Sequence, residues 1–472
     1  MDAQNLIREK YREELRQVAA LSQAYDQSRQ KEYIRQMHEL LLDALVMTKE
    51  NRLYVFEQLK RLTFMNSDVV DLEIETLSMK CYQQILELYK EELTVPLDYV
   101  PVEKREKQYV MFFINQYLAE GHGPTQTILD RSYLIAKGMG LTPVIINTAD
   151  LLTQRGKIPF VGAVVPTYIE KNLNLETVSY KGMEFPFLQC EQNMPDIETI
   201  QNIVNFVKEL NPYFMIDIGG QNLTGGICSN MYPLIAVNTV MSGRTATTAQ
   251  FQLIGRPLCE EDAQWRKLNN KTENHLVYCP FNFNLREQKE RYTREQFELP
   301  QDRKLLLVVG ARLDEEVDSE FLQVLQKAVD QGGFVVFAGK FKTYDEKMKQ
   351  NSVVAGASRF FGFVKEILAL AEICDIYVNP KRTGGGTSVI EAMAMGLPAV
   401  SLPGGDVALS AGDDFIVDTY SVMNDRIYRY MTDEKYYAEH AEMAKARAAY
   451  LLDGERLFLD AVHRIEKMPE FQ

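Results

Sequence analysis

The sequence has no positive excess: 52 lysines and arginines against 66 aspartates and glutamates leave a formal net charge of -14 over 472 residues. Nucleic acid and anionic membranes are drawn by basic patches, so this balance excludes both as general electrostatic partners. Cysteine is sparse as well. The six thiols (Cys81, Cys190, Cys228, Cys259, Cys279, Cys374) are scattered and form no C-x-x-C pair, which signals neither a zinc site nor a disulfide framework. No run of about 18 uncharged apolar residues occurs. The start, Met1-Asp2-Ala3-Gln4-Asn5, has neither the basic stretch nor the apolar stretch of a secretory signal. The expectation is a cytoplasmic chain without a membrane span. Glycine and proline are missing from Gln4 to about Val95, which leaves that segment to helices.

What is present is ordinary globular composition, 46 % hydrophobic and 10 % aromatic, at a length that fits two to four domains. The first segment carries two apolar stripes at helical spacing, Tyr33, Ile34, Met37, Leu40, Leu41, Ala44, Leu45 and Ile74, Leu77, Cys81, Ile85, Leu88. Such stripes serve a bundle packed on the next domain, or a docking platform for a partner or a second copy. From Pro96 the character changes. Tyr109 to Ile114 is a continuous apolar run, the mark of a strand buried on both faces of a parallel sheet. A helix from about Pro124 to Lys137 and a strand from Pro143 to Ile146 follow, then a helix from Ile200 to Leu210 and a strand from Tyr213 that ends at Asp217. Residues 280 to 302 read as a linker. Beyond them the strand and helix alternation restarts at Leu305 to Val309 and runs through Ala399 to Leu402, with a helical tail from Asp433 to Lys467. The expected division is 1–95 all-helical, 96–285 a first α/β lobe, and 286–472 a second lobe with the C-terminal helices.

Open α/β lobes bind ligands in the crevice beyond the carboxyl ends of their strands. In the second lobe the loop of interest is Asn379-Pro380-Lys381-Arg382-Thr383-Gly384-Gly385-Gly386-Thr387-Ser388, which leads into a helix. Glycines allow close backbone approach, and a helix start offers unpaired N–H groups with a positive dipole end, so the pattern suits a diphosphate or is a plain strand-to-helix turn. Lys381 and Arg382 add positive charge. Glu391 closes a Ser388-x-x-Glu391 capping box or binds ribose hydroxyls. In the first lobe, His122 precedes Pro124 at a helix start and is a candidate base, an orienting group or a structural residue. Asp217 is a second candidate base, or a hydrogen-bond acceptor for the Gly219-Gly220 loop. No D-x-D pair follows a buried strand, so the expectation is chemistry without a metal.

The stretch from Asp375 through Gly384-Gly385-Gly386-Thr387-Ser388 to Glu391-Ala392-Met393-Ala394-Met395-Gly396-Leu397-Pro398-Ala399-Val400 resembles the C-lobe donor site of GT-B glycosyltransferases. That resemblance implies two Rossmann-like lobes facing a cleft, behind the helical segment. It assigns Gly385, Gly386, Thr387 and Ser388 to the donor diphosphate and Glu391 to the ribose. Val309-Gly310-Ala311-Arg312-Leu313 resembles the loop whose arginine meets donor phosphates, although a surface pairing of Arg312 with Asp314 or Glu315 is the alternative. Phe361-Gly362-Phe363-Val364 resembles the loop that meets the base, and Lys340, Lys381 and Arg382 are assigned to the donor side with it. The second glutamate common in retaining members is Thr383 here. Gly121-His122-Gly123-Pro124-Thr125 and Leu402-Pro403-Gly404-Gly405-Asp406 are instead similar to the O-GlcNAc transferase and bacterial protein glucosyltransferase group. The implied activity is transfer from a nucleoside diphosphate sugar, UDP-GlcNAc or another UDP-hexose, to a protein side chain, with no cofactor besides the donor. A surface-polysaccharide acceptor, a nucleotide-sugar 2-epimerase and a catalytically silent partner of another transferase are the alternatives.

Overall fold

The computed structural model describes residues 3–66, 69–119, 122–150, 167–191, 194–239, 243–281, 283–285 and 287–472. Gly121 of the histidine loop lies outside them. The chain divides into two compact units, Met1–Cys279 with Phe458–Gln472, and Pro280–Leu457.

The first unit holds strands β1 (Glu106–Ile114), β2 (Thr142–Asn147), β3 (Thr177–Tyr180), β4 (Met183–Gln189), β5 (Pro212–Ile218), β6 (Leu234–Val237), β7 (Phe251–Ile254) and β8 (Leu276–Tyr278). Their order is β3-β4-β2-β1-β5-β6-β7-β8. Among the described residues only the β3/β4 pair of this sheet is antiparallel. The apolar run in β1 is explained by two covered faces. Met111 and Phe113 enter one core with the N-terminal helices, while Val110, Phe112 and Ile114 enter a second core on the opposite face.

The N-terminal helices are α1 (Ala3–Ser28), α2 (Lys31–Asp43), α3 (Lys49–Met65) and α4 (Leu72–Lys90). Thr48 caps α3 at Asn51 N, and Asp71 caps α4 at Ile74 N. Their stripes do not close on themselves. Ile34, Met37, Leu41, Ile74, Cys81 and Ile85 share one continuous core with Met111, Phe113, Ile146 and Met215 of the sheet, so residues 1–95 form no core separate from the first lobe. Leu45, counted in the first stripe, is 73 % exposed because α2 ends at Asp43. A buried ion-pair network adds to the join: Arg244 contacts Glu75 of α4 at 2.7 Å and Asp262 at 2.7 Å.

The tail departs from the expected division. The helix Gly454–Ile465 falls within the expected second lobe of 286–472, but from Phe458 onward it packs in the first unit. Phe458, Ala461, Val462, Ile465 and Phe471 fill the sheet face that Val110, Phe112 and Phe214 expose. They share that face with Ile128, Leu129, Leu134 and Ile135 of the helix Gly123–Met139. The lobe boundary also moves, from 285/286 to 279/280, where the expected linker of 280 to 302 begins.

The second unit has an all-parallel sheet of β9 (Leu305–Gly310), β10 (Phe334–Gly339), β11 (Ser358–Phe360), β12 (Ile376–Val378) and β13 (Ala399–Val400), ordered β11-β10-β9-β12-β13. The chain runs outward from β9 to β10 and β11, then returns to place β12 on the other side of β9. This reversal makes a topological switch point between β9 and β12, where open sheets gather their ligands.

Candidate functional site

Two loops leave the switch point of the second unit. The loop after β9 brings Arg312, and the loop after β12 brings the triple-glycine turn. Gly385 has φ +106°, a left-handed conformation that favours glycine, and it precedes the helix Gly386–Ala394 with no side chain capping the start. A Cβ on Gly386 would lie 2.7 Å from Ser410 Oγ and 3.1 Å from the Phe283 ring, so that position admits no side chain without displacement. The helix begins two residues earlier than expected from the sequence. Ser388 therefore lies inside its first turn, donates its hydroxyl to Gly385 O at 2.8 Å and sits 2.8 Å from Tyr377 Oη. The capping-box reading of Glu391 does not survive that placement. Glu391 is half-buried on the second turn of the helix.

The candidate cations separate into two kinds. Arg312 is 58 % exposed and contacts Glu316, rather than Asp314 or Glu315, at 3.3 Å. Its Nη2 would be 3.5 Å from a Cβ placed on Gly384, so the guanidinium lies against the turn. Lys381 and Lys340 are exposed. Arg382 is not: its side chain is 3 % exposed, folded under the turn, donating Nη1 to Val309 O at 2.7 Å beside Glu316. Phe363, in the loop after β11, is 83 % exposed. The Gly404-Gly405-Asp406 segment seats on the turn through Asp406 N to Thr383 O, 2.7 Å. Gly385, Gly386, Thr387, Ser388, Glu391, Arg312 and Lys381 are thus gathered at one strand edge, and Arg382 supports them from within.

In the first unit the corresponding switch point lies between β1 and β5; the loop after β1 carries His122, and Asp217 is the penultimate residue of β5. His122 Nδ1 is 2.8 Å from Thr125 Oγ1, which itself accepts from Leu118 N at 2.9 Å. The ring is half-buried, and burial lowers its pKa, so it is neutral near pH 7. Asp217 is 1 % exposed. Its Oδ2 accepts from Asn222 N at 3.0 Å, while Oδ1 has no hydrogen-bond partner among the described residues. Burial raises its pKa to about 7. Asp150, three residues beyond β2, is a site residue that sequence reasoning does not single out. It accepts from Leu223 N at 3.0 Å, and burial together with Glu57 and Asp217 raises it to about 7. The pair holds the start of the buried helix Leu223–Cys228. Its signal is the carboxylate near a strand end, hidden because Thr148 and Ala149 intervene.

Among the described residues no group of three or more His, Cys, Asp or Glu is placed to hold a metal ion, and no helix is long and apolar enough to cross a membrane.

Residues 289–447, which contain the whole turn, match the family model described as glycosyl transferases group 1. No curated protein sequence matches the chain. Among solved structures, a mutant O-GlcNAc transferase of Thermobaculum terrenum is similar with a TM-score of 0.54 at 12 % identity, covering 95 % of this chain and 86 % of that one. A glycosyltransferase from Rickettsia africae gives 0.52 at 13 % identity over 77 % of this chain and 99 % of that one. Anabaena HepE in complex with UDP gives 0.51 at 14 % identity over 76 % and 100 %. The fold is that of the GT-B glycosyltransferases, and the first of these likenesses takes in the N-terminal helices as well.

Proposed function

We propose that the chain is a glycosyltransferase that takes its sugar from a nucleoside diphosphate sugar, UDP-GlcNAc or another UDP-hexose, and gives it to a protein side chain. The observation that carries this reading is the uncapped helix start behind Gly385, set at a sheet switch point between Arg312 and Glu391 and inside the segment that matches the glycosyl transferases group 1 model. Backbone N–H groups at such a start suit phosphate oxygens, and Arg312 adds an exposed planar cation. Glu391 offers its carboxylate to ribose hydroxyls. A UDP complex among the structural neighbours supports the choice of nucleotide, and an O-GlcNAc transferase among them supports the choice of sugar.

In the transfer, the bond between the anomeric carbon and the diphosphate breaks while the acceptor heteroatom bonds to that carbon. The charge released on the diphosphate is met by the turn's N–H groups and by Arg312, a preorganised arrangement that uses no metal. His122, neutral and held by Thr125, is the group proposed to take the acceptor's proton. Asp217 is assigned to holding the loop that follows β5, since its carboxylate is enclosed.

Incubation of the purified chain with a panel of nucleotide sugars tests the reading, with free nucleotide, sugar isomers and acceptor mass followed together. Free UDP with a hexose or N-acetylhexosamine added to a protein supports it. A donor converted to its 2-epimer, or no binding to any nucleotide sugar, would replace it with an epimerase or a silent partner protein.

A further inference from the structure

Glu316 closes the short helix Leu313–Glu316 after β9, and its side chain is only 8 % exposed. It stands between two guanidiniums. Oε1 meets Arg312 Nε at 3.3 Å, and Oε2 meets Arg382 Nη1 at 3.4 Å. The two arginines come from different loops, one after β9 and one after β12, and differ in exposure, 58 % against 3 %. A Cβ on Gly310 would lie 2.9 Å from both Arg382 Nη1 and Glu316 Oε2, so the stack is closely packed against β9. Arg382 also passes beneath the turn: a Cβ on Gly385 would be 3.3 Å from its Cδ. Nε and Nη2 of Arg382 have no hydrogen-bond partner among the described residues.

Two consequences follow from charge and geometry. A guanidinium held through Nε keeps its terminal Nη edge for another ligand, and Arg312 Nη2 already lies against Gly384. A buried guanidinium without a counter-charge is strongly unfavourable, so Arg382 depends on Glu316 to remain under the turn.

We propose that Glu316 is a positioning residue that aims Arg312 at the donor diphosphate and, through Arg382, fixes the Gly384 to Gly386 turn from beneath. This rests on the donor-site reading above. Glu316 touches neither sugar nor phosphate; it acts through the two arginines.

The test is titration of the full chain with UDP and with uridine, in wild type, Glu316→Gln, Arg312→Ala and the double variant. Glu316→Gln is expected to weaken UDP about tenfold, to leave uridine unchanged, and to cost less once Arg312 is gone, because only the arm through Arg382 then remains. Because Glu316→Gln leaves Arg382 without its counter-charge, the comparison is repeated in an Arg382→Met background, where the loss of UDP affinity on Glu316→Gln is expected to persist. Unchanged UDP affinity in Glu316→Gln, with Arg312→Ala still weakened, would overturn the role of Glu316 and leave the donor site standing. Equal loss of UDP and uridine would mark a structural part and overturn it too. Wild-type protein that binds no UDP would overturn the donor site and this proposal together.

Discussion

Charge-assisted hydrogen bonds to a bound diphosphate or ribose are worth about 1.5–3 kcal/mol each. Arg312→Ala and Glu391→Ala are accordingly expected to weaken UDP-sugar binding at least about tenfold each, measured by calorimetry, and unchanged affinity in both would remove the site assignment. Asp150 makes a different prediction. Its folded pKa of about 7 stands above that of an unfolded aspartate, so the folded state holds the extra proton between roughly pH 4 and 7. Stability from this group is therefore present at low pH and lost as pH rises through 7. Asp150→Asn keeps an oxygen for Leu223 N and removes the titration. Relative to wild type, the variant is expected to gain on the order of 2 kcal/mol between pH 5 and pH 8 in urea unfolding. A parallel pH dependence in the two proteins would sink the assignment. At this scale the sequence shows which residues could carry chemistry but not where they point. Lys381 and Arg382 are adjacent and alike in charge, yet one is exposed and the other is folded under the turn, because only the latter finds Val309 O and Glu316.

At the scale of elements, the turn depends on two backbone facts, the left-handed Gly385 and the tight seat of Gly386. Gly385→Ala is expected to cost about 1–3 kcal/mol in strain, seen as a lower melting temperature, with UDP affinity reduced by the same displacement. No change in either would show that the turn tolerates a side chain. Strands covered on both faces are legible as unbroken apolar runs, as at Tyr109 to Ile114. The four-residue strands β6 and β7 are not, since they are too short to show a period. Sequence places the helix start at Gly386 two residues late because glycine is a poor helix former in isolation; here the left-handed residue before it fixes the start. The Ser388 hydroxyl has two local partners that spacing alone does not reveal.

At the scale of the whole molecule, helical periodicity tells which face of the C-terminal segment is apolar but not which sheet it covers. The last helix serves the first unit, which is therefore discontinuous in sequence. Phe471 is fully buried there, against Tyr213 and Phe214 at ring distances of 5.3 and 5.7 Å. Phe471→Ala is expected to destabilise the first unit by about 3–5 kcal/mol in denaturant unfolding, while UDP binding by the second unit is retained. Loss of UDP binding without loss of stability would place that residue in a different role. The claim on which the functional reading turns is that the second unit holds a nucleoside diphosphate at the Gly384 to Ser388 turn. Calorimetric titration of UDP into wild type and Gly386→Val, with circular dichroism to verify the variant's fold, measures it directly. Saturable binding by wild type and its loss in a folded variant is the expected result; equal binding in both, or none in wild type, would contradict it.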